Sequence, residues 1–136
     1  MKKPFVIAID GASSTGKSTL AKGLAKALGF PHVDSGAMYR GVTLYVQQHG
    51  LIENKKVKTE TLLSQLDDIH LRFEGDTFWL NGVDVSAEIR SMQVSEAVSL
   101  VAAIPEVRTF LVAQQRIMGA NQSVVMDGRD IGTVVF

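Results

Sequence analysis

The sequence predicts an α/β fold: a mostly parallel sheet with helices on both faces, plus a small antiparallel β insert. Three observations carry that expectation. Apolar runs of strand length occur at Phe5-Val6-Ile7-Ala8-Ile9 and Ser123-Val124-Val125-Met126, each followed by an aspartate. Stretches of helical periodicity lie between strand candidates, the alternation that gives parallel pairing through right-handed crossovers. A Gly-rich loop joins the first strand to the first helix.

That loop, Gly11-Ala12-Ser13-Ser14-Thr15-Gly16-Lys17-Ser18, spells G-x-x-x-x-G-K-S/T, the phosphate-binding P-loop, in the strand–loop–helix context the pattern requires. Its glycines let successive main-chain N–H groups turn inward onto phosphate oxygens. The helix beginning near Gly16 adds its positive dipole end. Lys17 is placed to reach the β- and γ-phosphates and Ser18 to ligand Mg2+, with Thr19 a further donor. The ligand class is a nucleoside triphosphate. The loop alone leaves the reaction open, since kinases, GTPases and motor ATPases all carry it. A GTPase is disfavoured, because Asn54-Lys55-Lys56-Val57 lacks the aspartate of a guanine-reading Asn-Lys-x-Asp.

The elements follow in order. Lys17–Leu28 places Leu20, Leu24, Ala27 and Leu28 at helical spacing, and Gly29 ends it. Pro31-His32-Val33-Asp34 has the length of a second strand. Ser35 is positioned to cap a helix running through Met38, Tyr39, Val42, Leu44 and Val46 to Gly50. Glu53–Lys58 is charged and is expected as a solvated loop, and Leu62, Leu63 and Leu66 suggest a short helix. Ile69–Phe73 and Thr77–Leu80 read as strands joined around Gly75-Asp76, and Asn81-Gly82 turns the chain into Val83-Asp84-Val85. Phe78 and Trp79 are expected to pack within this β excursion. Ile89, Val94, Ala97, Val98 and Val101 restore helical spacing. Pro105 and Glu106 open a last helix through Val107, Leu111 and Ile117, broken at Gly119-Ala120-Asn121.

Bulk composition narrows the partners. At 136 residues the chain is about one domain. Fourteen basic against 14 acidic side chains leave no net field, so neither nucleic acid nor an anionic membrane is expected as a partner. The absence of cysteine excludes disulfides and thiolate metal sites. Lys2 and Lys3 precede an apolar run, but Asp10 and the P-loop interrupt it, unlike a signal peptide.

Ligands of parallel sheets bind at the carboxyl ends of strands. Asp10, Asp34 and Asp127 each follow a strand candidate and are expected to face one phosphate cleft. In Asp127-Gly128-Arg129-Asp130, the first acid suits a water-mediated role on Mg2+. Arg129 suits neutralisation of phosphate charge, and Asp130 suits acceptance from an exocyclic amine. Ser35 and Arg40, at a helix start and one turn on, form a clamp for a second phosphate-bearing substrate.

Taken together, these segments resemble the bacterial-type cytidylate kinases among the nucleoside monophosphate kinases. The resemblance rests on Ile9 through Thr19, on Asp34-Ser35-Gly36-Ala37-Met38-Tyr39-Arg40, on Val85 through Arg90, on Ser99 through Arg108, and on Asp127 through Phe136. It implies a P-loop NTPase core at 1–34 and 119–136 of a single kinase domain. It also implies a CMP-binding region near 35–118 with its β insert near 69–90. The implied activity is transfer of the γ-phosphoryl of ATP to CMP or dCMP, with Mg2+ as cofactor, in a cytoplasmic protein that is monomeric at full length. By the same resemblance Gly11 through Thr19 hold ATP, with Lys17, Asp127 and Arg129 at the transfer. Ser35, Arg40 and Arg129 attend the CMP phosphate and sugar, and Ser99, Arg108 and Asp130 read the cytosine. Family members continue past Phe136, so the chain is expected to be incomplete at its C-terminus. Two rival expectations are a small-metabolite kinase on the same core and a nucleotide-binding fragment without turnover.

Overall fold

The computed structural model describes residues 6–10, 17–75 and 77–128. It is an α/β structure with a parallel sheet flanked by helices and two small antiparallel sheets. The chain forms two compact units, Met1–Gly36 with Val112–Phe136, and Ala37–Leu111.

The first unit is built on β1 (Val6–Asp10), β2 (His32–Asp34) and β8 (Val124–Gly128), in the order β1-β8-β2. Both outer strands run parallel to β8. As the middle strand, β8 is buried at all five positions. β1 is described from Val6, the expected Phe5 lying outside the described residues, and it is only partly buried, pairing among the described residues with β8 alone.

Helix α1 (Lys17–Leu28) covers this sheet with Ala21, Leu24 and Ala25, packed with Val125, Ile7, Ile9 and Phe30. Of the residues expected at helical spacing, Leu24 does pack here, whereas Leu20, Ala27 and Leu28 are exposed and Ala21 and Ala25 are the buried members of the contact. Small side chains allow close approach of helix and sheet, and the ridge one residue along carries them. Gly29, at φ +72°, ends the helix in a Schellman turn. Phe30 N–H donates to the Ala25 carbonyl at 2.9 Å, and Gly29 N–H to that of Lys26 at 3.3 Å.

The second unit holds most of α2 (Ser35–Gln48), which ends in the same motif at Gly50, φ +63°. There Leu51 N–H donates to the Val46 carbonyl and Gly50 N–H to that of Gln47. The expected solvated loop at Glu53–Lys58 is instead a hairpin of β3 (Ile52–Glu53) and β4 (Lys56–Val57). Asn54 and Lys55 both take positive φ at its tip, the requirement of a tight two-residue turn. Next come α3 (Thr59–Gln65) and a 3-10 turn, then β5 (Leu71–Glu74), β6 (Thr77–Leu80) and β7 (Val83–Asp84). These last three pair antiparallel in sequence order, as the insert was expected to do; Asp76 lies outside the described residues.

Phe78 is buried and stacks at a tilt on Phe73, while the Arg72 guanidinium lies 5.1 Å from the Trp79 ring centre, so both aromatics do pack. Helix α4 (Met92–Ala102) is capped by the Ser91 hydroxyl, which accepts from Val94 N–H. Helix α5 (Pro105–Asn121) runs through Gly119, where a break was expected. A single helical glycine costs only about 1 kcal/mol relative to alanine, too little to end a helix.

Candidate functional site

Register brings the acidic strand ends together. Asp127 of β8 is the partner of Ile9 on one side and of Asp34 on the other, and Asp10 is the partner of Gly128 one step on. The three carboxylates expected at one edge therefore do end neighbouring parallel strands. β1 closes at Asp10 and α1 opens at Lys17, so the Gly11–Ser18 motif spans a strand end and a helix start.

Asp127 is fully buried, which a carboxylate tolerates only with hydrogen-bond partners. His32 supplies one, its Nε2 lying 2.5 Å from Asp127 Oδ1. A carboxylate can only accept, so the ring N–H is the donor. His32 stands two residues before Asp34, on the same face of β2, so this strand provides both a carboxylate and the group that orients the next one.

Ser35 is the first residue of α2 and is buried. Its hydroxyl accepts from the Gln115 side-chain amide of α5 at 3.0 Å, across 80 residues of sequence. Beside it, a Cβ added at Gly36 would sit 3.2 Å from Asp34 Oδ1, so glycine leaves room for that carboxylate at the helix start.

In the second unit, Arg40 donates from Nη1 to the Ile89 carbonyl at 3.0 Å and to the Ser95 hydroxyl at 2.8 Å. Tyr39, its neighbour, is hydrogen-bonded by the Arg108 guanidinium. Burial pushes the Tyr39 phenol above its ordinary value, and the Arg108 charge and hydrogen bond offset part of that rise. Ser99 is exposed on α4, and its carbonyl accepts from Ala103 N–H at the helix end.

Of the remaining expected site residues, Thr19 is exposed on the first turn of α1. Gly11, Ala12, Ser13, Ser14, Thr15, Gly16, Arg129 and Asp130 lie outside the described residues, as do the side chains of Lys17 and Ser18. Sequence reasoning assigned no role to His32, Gln115 or Ser95. Each acts through a contact 55 or more residues away. The one local hint was His32, two positions ahead of a strand-end acid. No helix among the described residues is long and apolar enough to cross a membrane.

A protein-family model described as cytidylate kinase matches residues 7–136. The chain is 54% identical to a cytidylate kinase of Parabacteroides distasonis, over 98% of this chain and 61% of the relative. It is 52% identical to that of Flavobacterium psychrophilum over 98% and 62%, and 48% identical to that of Porphyromonas gingivalis over 100% and 62%. The chain thus spans about six tenths of the length of these curated relatives.

Proposed function

Since the chain belongs to the cytidylate kinase family, we propose that its protein transfers the γ-phosphoryl of ATP to CMP or dCMP, giving ADP and CDP or dCDP. The observation that carries the reading is the shared register of Asp34 and Asp127 beside a P-loop that begins one residue past Asp10. A triphosphate cradled by main-chain amides lies at the strand edge where acceptor-side groups also emerge.

In this reading Gly11 through Thr19 hold the ATP phosphates, and Lys17 spans the β- and γ-groups. Catalysis is positioning and charge stabilisation without a covalent enzyme intermediate. No group of three or more acids or histidines among the described residues makes a metal cage, and Mg2+ fits as an ion carried by the nucleotide's phosphates, with Asp127, oriented by His32, as an oxygen donor. Ser18 and, through water, Asp127 would hold the ion. When bound with ATP it supplies neutralisation of phosphate charge.

Ser35, Arg40 and Arg129 receive the acceptor's phosphate and sugar. Ser99, Arg108 and Asp130 select cytosine by hydrogen bonds, a mode that strongly rejects a base lacking the matching groups. The region near 35–118 is the acceptor-binding part and the rest the P-loop core of one kinase domain. Zero net charge disfavours nucleic acid as a partner and leaves small nucleotides; a monomeric, cytoplasmic protein belongs to this reading through the family likeness alone.

The test is a coupled ADP-release assay with CMP, dCMP, UMP, AMP and small alcohols offered in parallel. Preference for the cytosine nucleotides is expected. Equal use of all acceptors, or of an alcohol alone, overturns the reading.

A further inference from the structure

We propose that Ser95 is a positioning residue for the acceptor's phosphate, acting by locking Arg40 so that one defined edge of its guanidinium faces the ligand. This rests on the reading of Arg40 as an acceptor-phosphate group. The geometry lies wholly within the second unit. Nη1 of Arg40 spends both of its hydrogens, one on the Ile89 carbonyl at 3.0 Å and one on the Ser95 hydroxyl at 2.8 Å. The end edge of the fork, which needs Nη1, is thereby unavailable for bidentate capture of an oxyanion. The side edge, Nε with Nη2, remains as the paired-donor surface.

Both anchors sit on fixed elements. Ile89 is buried in the 3-10 turn before α4. Ser95 is on the second turn of α4, whose start is tied down by the Ser91 cap and by Gln47 of α2 donating to the Gln93 carbonyl at 2.9 Å. Arginine carries large rotamer entropy, which a ligand would otherwise have to remove on binding. With Nη1 already held, that ordering is done before the phosphate arrives, and affinity rises for a fixed number of contacts.

The expected consequence concerns one substrate only. Calorimetric titration of this chain with CMP and, separately, with ATP tests it, using Ser95→Ala, Ser95→Thr, Arg40→Ala and the double variant. Ser95→Ala should weaken CMP about 5- to 20-fold, the loss of one charge-assisted hydrogen bond. Ser95→Thr, which keeps the hydroxyl, should bind as wild type, and ATP affinity should not move. In the Arg40→Ala background, Ser95→Ala should add no further loss. A merely structural serine would weaken binding in both backgrounds.

Ser95 is exposed on a helix where alanine is well tolerated, so the variant should fold, and unchanged thermal unfolding checks this. Unaltered CMP affinity in Ser95→Ala, or equal losses with and without Arg40, overturns the proposal. Wild-type chain that binds ATP but ignores CMP overturns the substrate reading itself, a different result from either.

Discussion

His32 Nε2 lies 2.5 Å from the Oδ1 of Asp127, joining the edge strand β2 to the buried acid of the middle strand. The pair matters because Asp127 has no exposure to water and must keep its acceptors filled from within. Replacing His32 by leucine keeps the bulk and removes the donor. A loss of about 2–4 kcal/mol is expected, the cost of removing one donor from a buried carboxylate. His32→Gln, whose amide nitrogen reaches a similar position, should recover most of it. Urea unfolding of the three proteins measures this, and equal midpoints for leucine and wild type would contradict the assigned pairing.

Gln115 and Ser35 form another buried polar contact in that unit. Gln115→Leu leaves the Ser35 hydroxyl without this donor and should cost about 1–3 kcal/mol. Pairing it with Ser35→Ala should cost clearly less than the two single losses summed, since the second change removes a group already orphaned. Additive losses would show that the two side chains act independently.

Gly41, inside α2, is held small by its neighbours. A Cβ there would fall 2.8 Å from Phe78 Cε2 and 3.0 Å from Leu71 Cδ2. Gly41→Ala gains about 1 kcal/mol of helix propensity. Overpacking against a buried ring typically costs about 1–3 kcal/mol, so the packing effect should win. Net destabilisation in thermal unfolding is the expected outcome, and stabilisation would mean that the β insert yields freely.

Both tyrosines should ionise late. Burial raises the phenols of Tyr39 and Tyr45, with the nearby Asp68 charge adding to the rise at Tyr45. The folded state then holds these protons more tightly than the unfolded chain, whose phenols titrate near about 10. Stability should accordingly fall as pH climbs from that value toward the folded-state pKa values, and be unaffected by these groups below it. Tyrosinate absorbance against pH, beside that of the urea-unfolded chain, checks the sign. A folded curve at or below the unfolded one refutes it.

The sequence announced those features that depend on near neighbours. The apolar run before Gly11 and the run ending at Asp127 became parallel strands, and the Asn81-Gly82 turn joined β6 to β7. The β3–β4 hairpin was hidden because its strands are two residues each and charged, leaving only Asn54 as a hint of positive φ. In α1 the leucines drew the eye, whereas only Leu24 of them joins the contact that Ala21 and Ala25 bury. Hydrophobicity per residue favours leucine, but close approach to a sheet favours small side chains. At the candidate site, the strand-end acids were legible from position alone. His32, Ser95 and Gln115 were not, since each works through a partner that only the fold brings near.

Two substitutions probe the proposed division of roles. Lys17→Ala should abolish turnover while leaving CMP binding measurable, because Lys17 belongs to the ATP side. Asp130→Ala should weaken CMP more than ATP in calorimetry. Retained activity in the first, or equal losses of both nucleotides in the second, would contradict those assignments.

The most direct measurement is phosphorus NMR of a mixture of ATP, Mg2+ and CMP with the protein. The CMP resonance should be replaced by the paired signals of CDP as ADP appears in equal amount, and UMP in its place should react far more slowly. ATP decaying to inorganic phosphate while CMP persists, or no change at all, would contradict the central claim of phosphoryl transfer to a cytosine nucleotide.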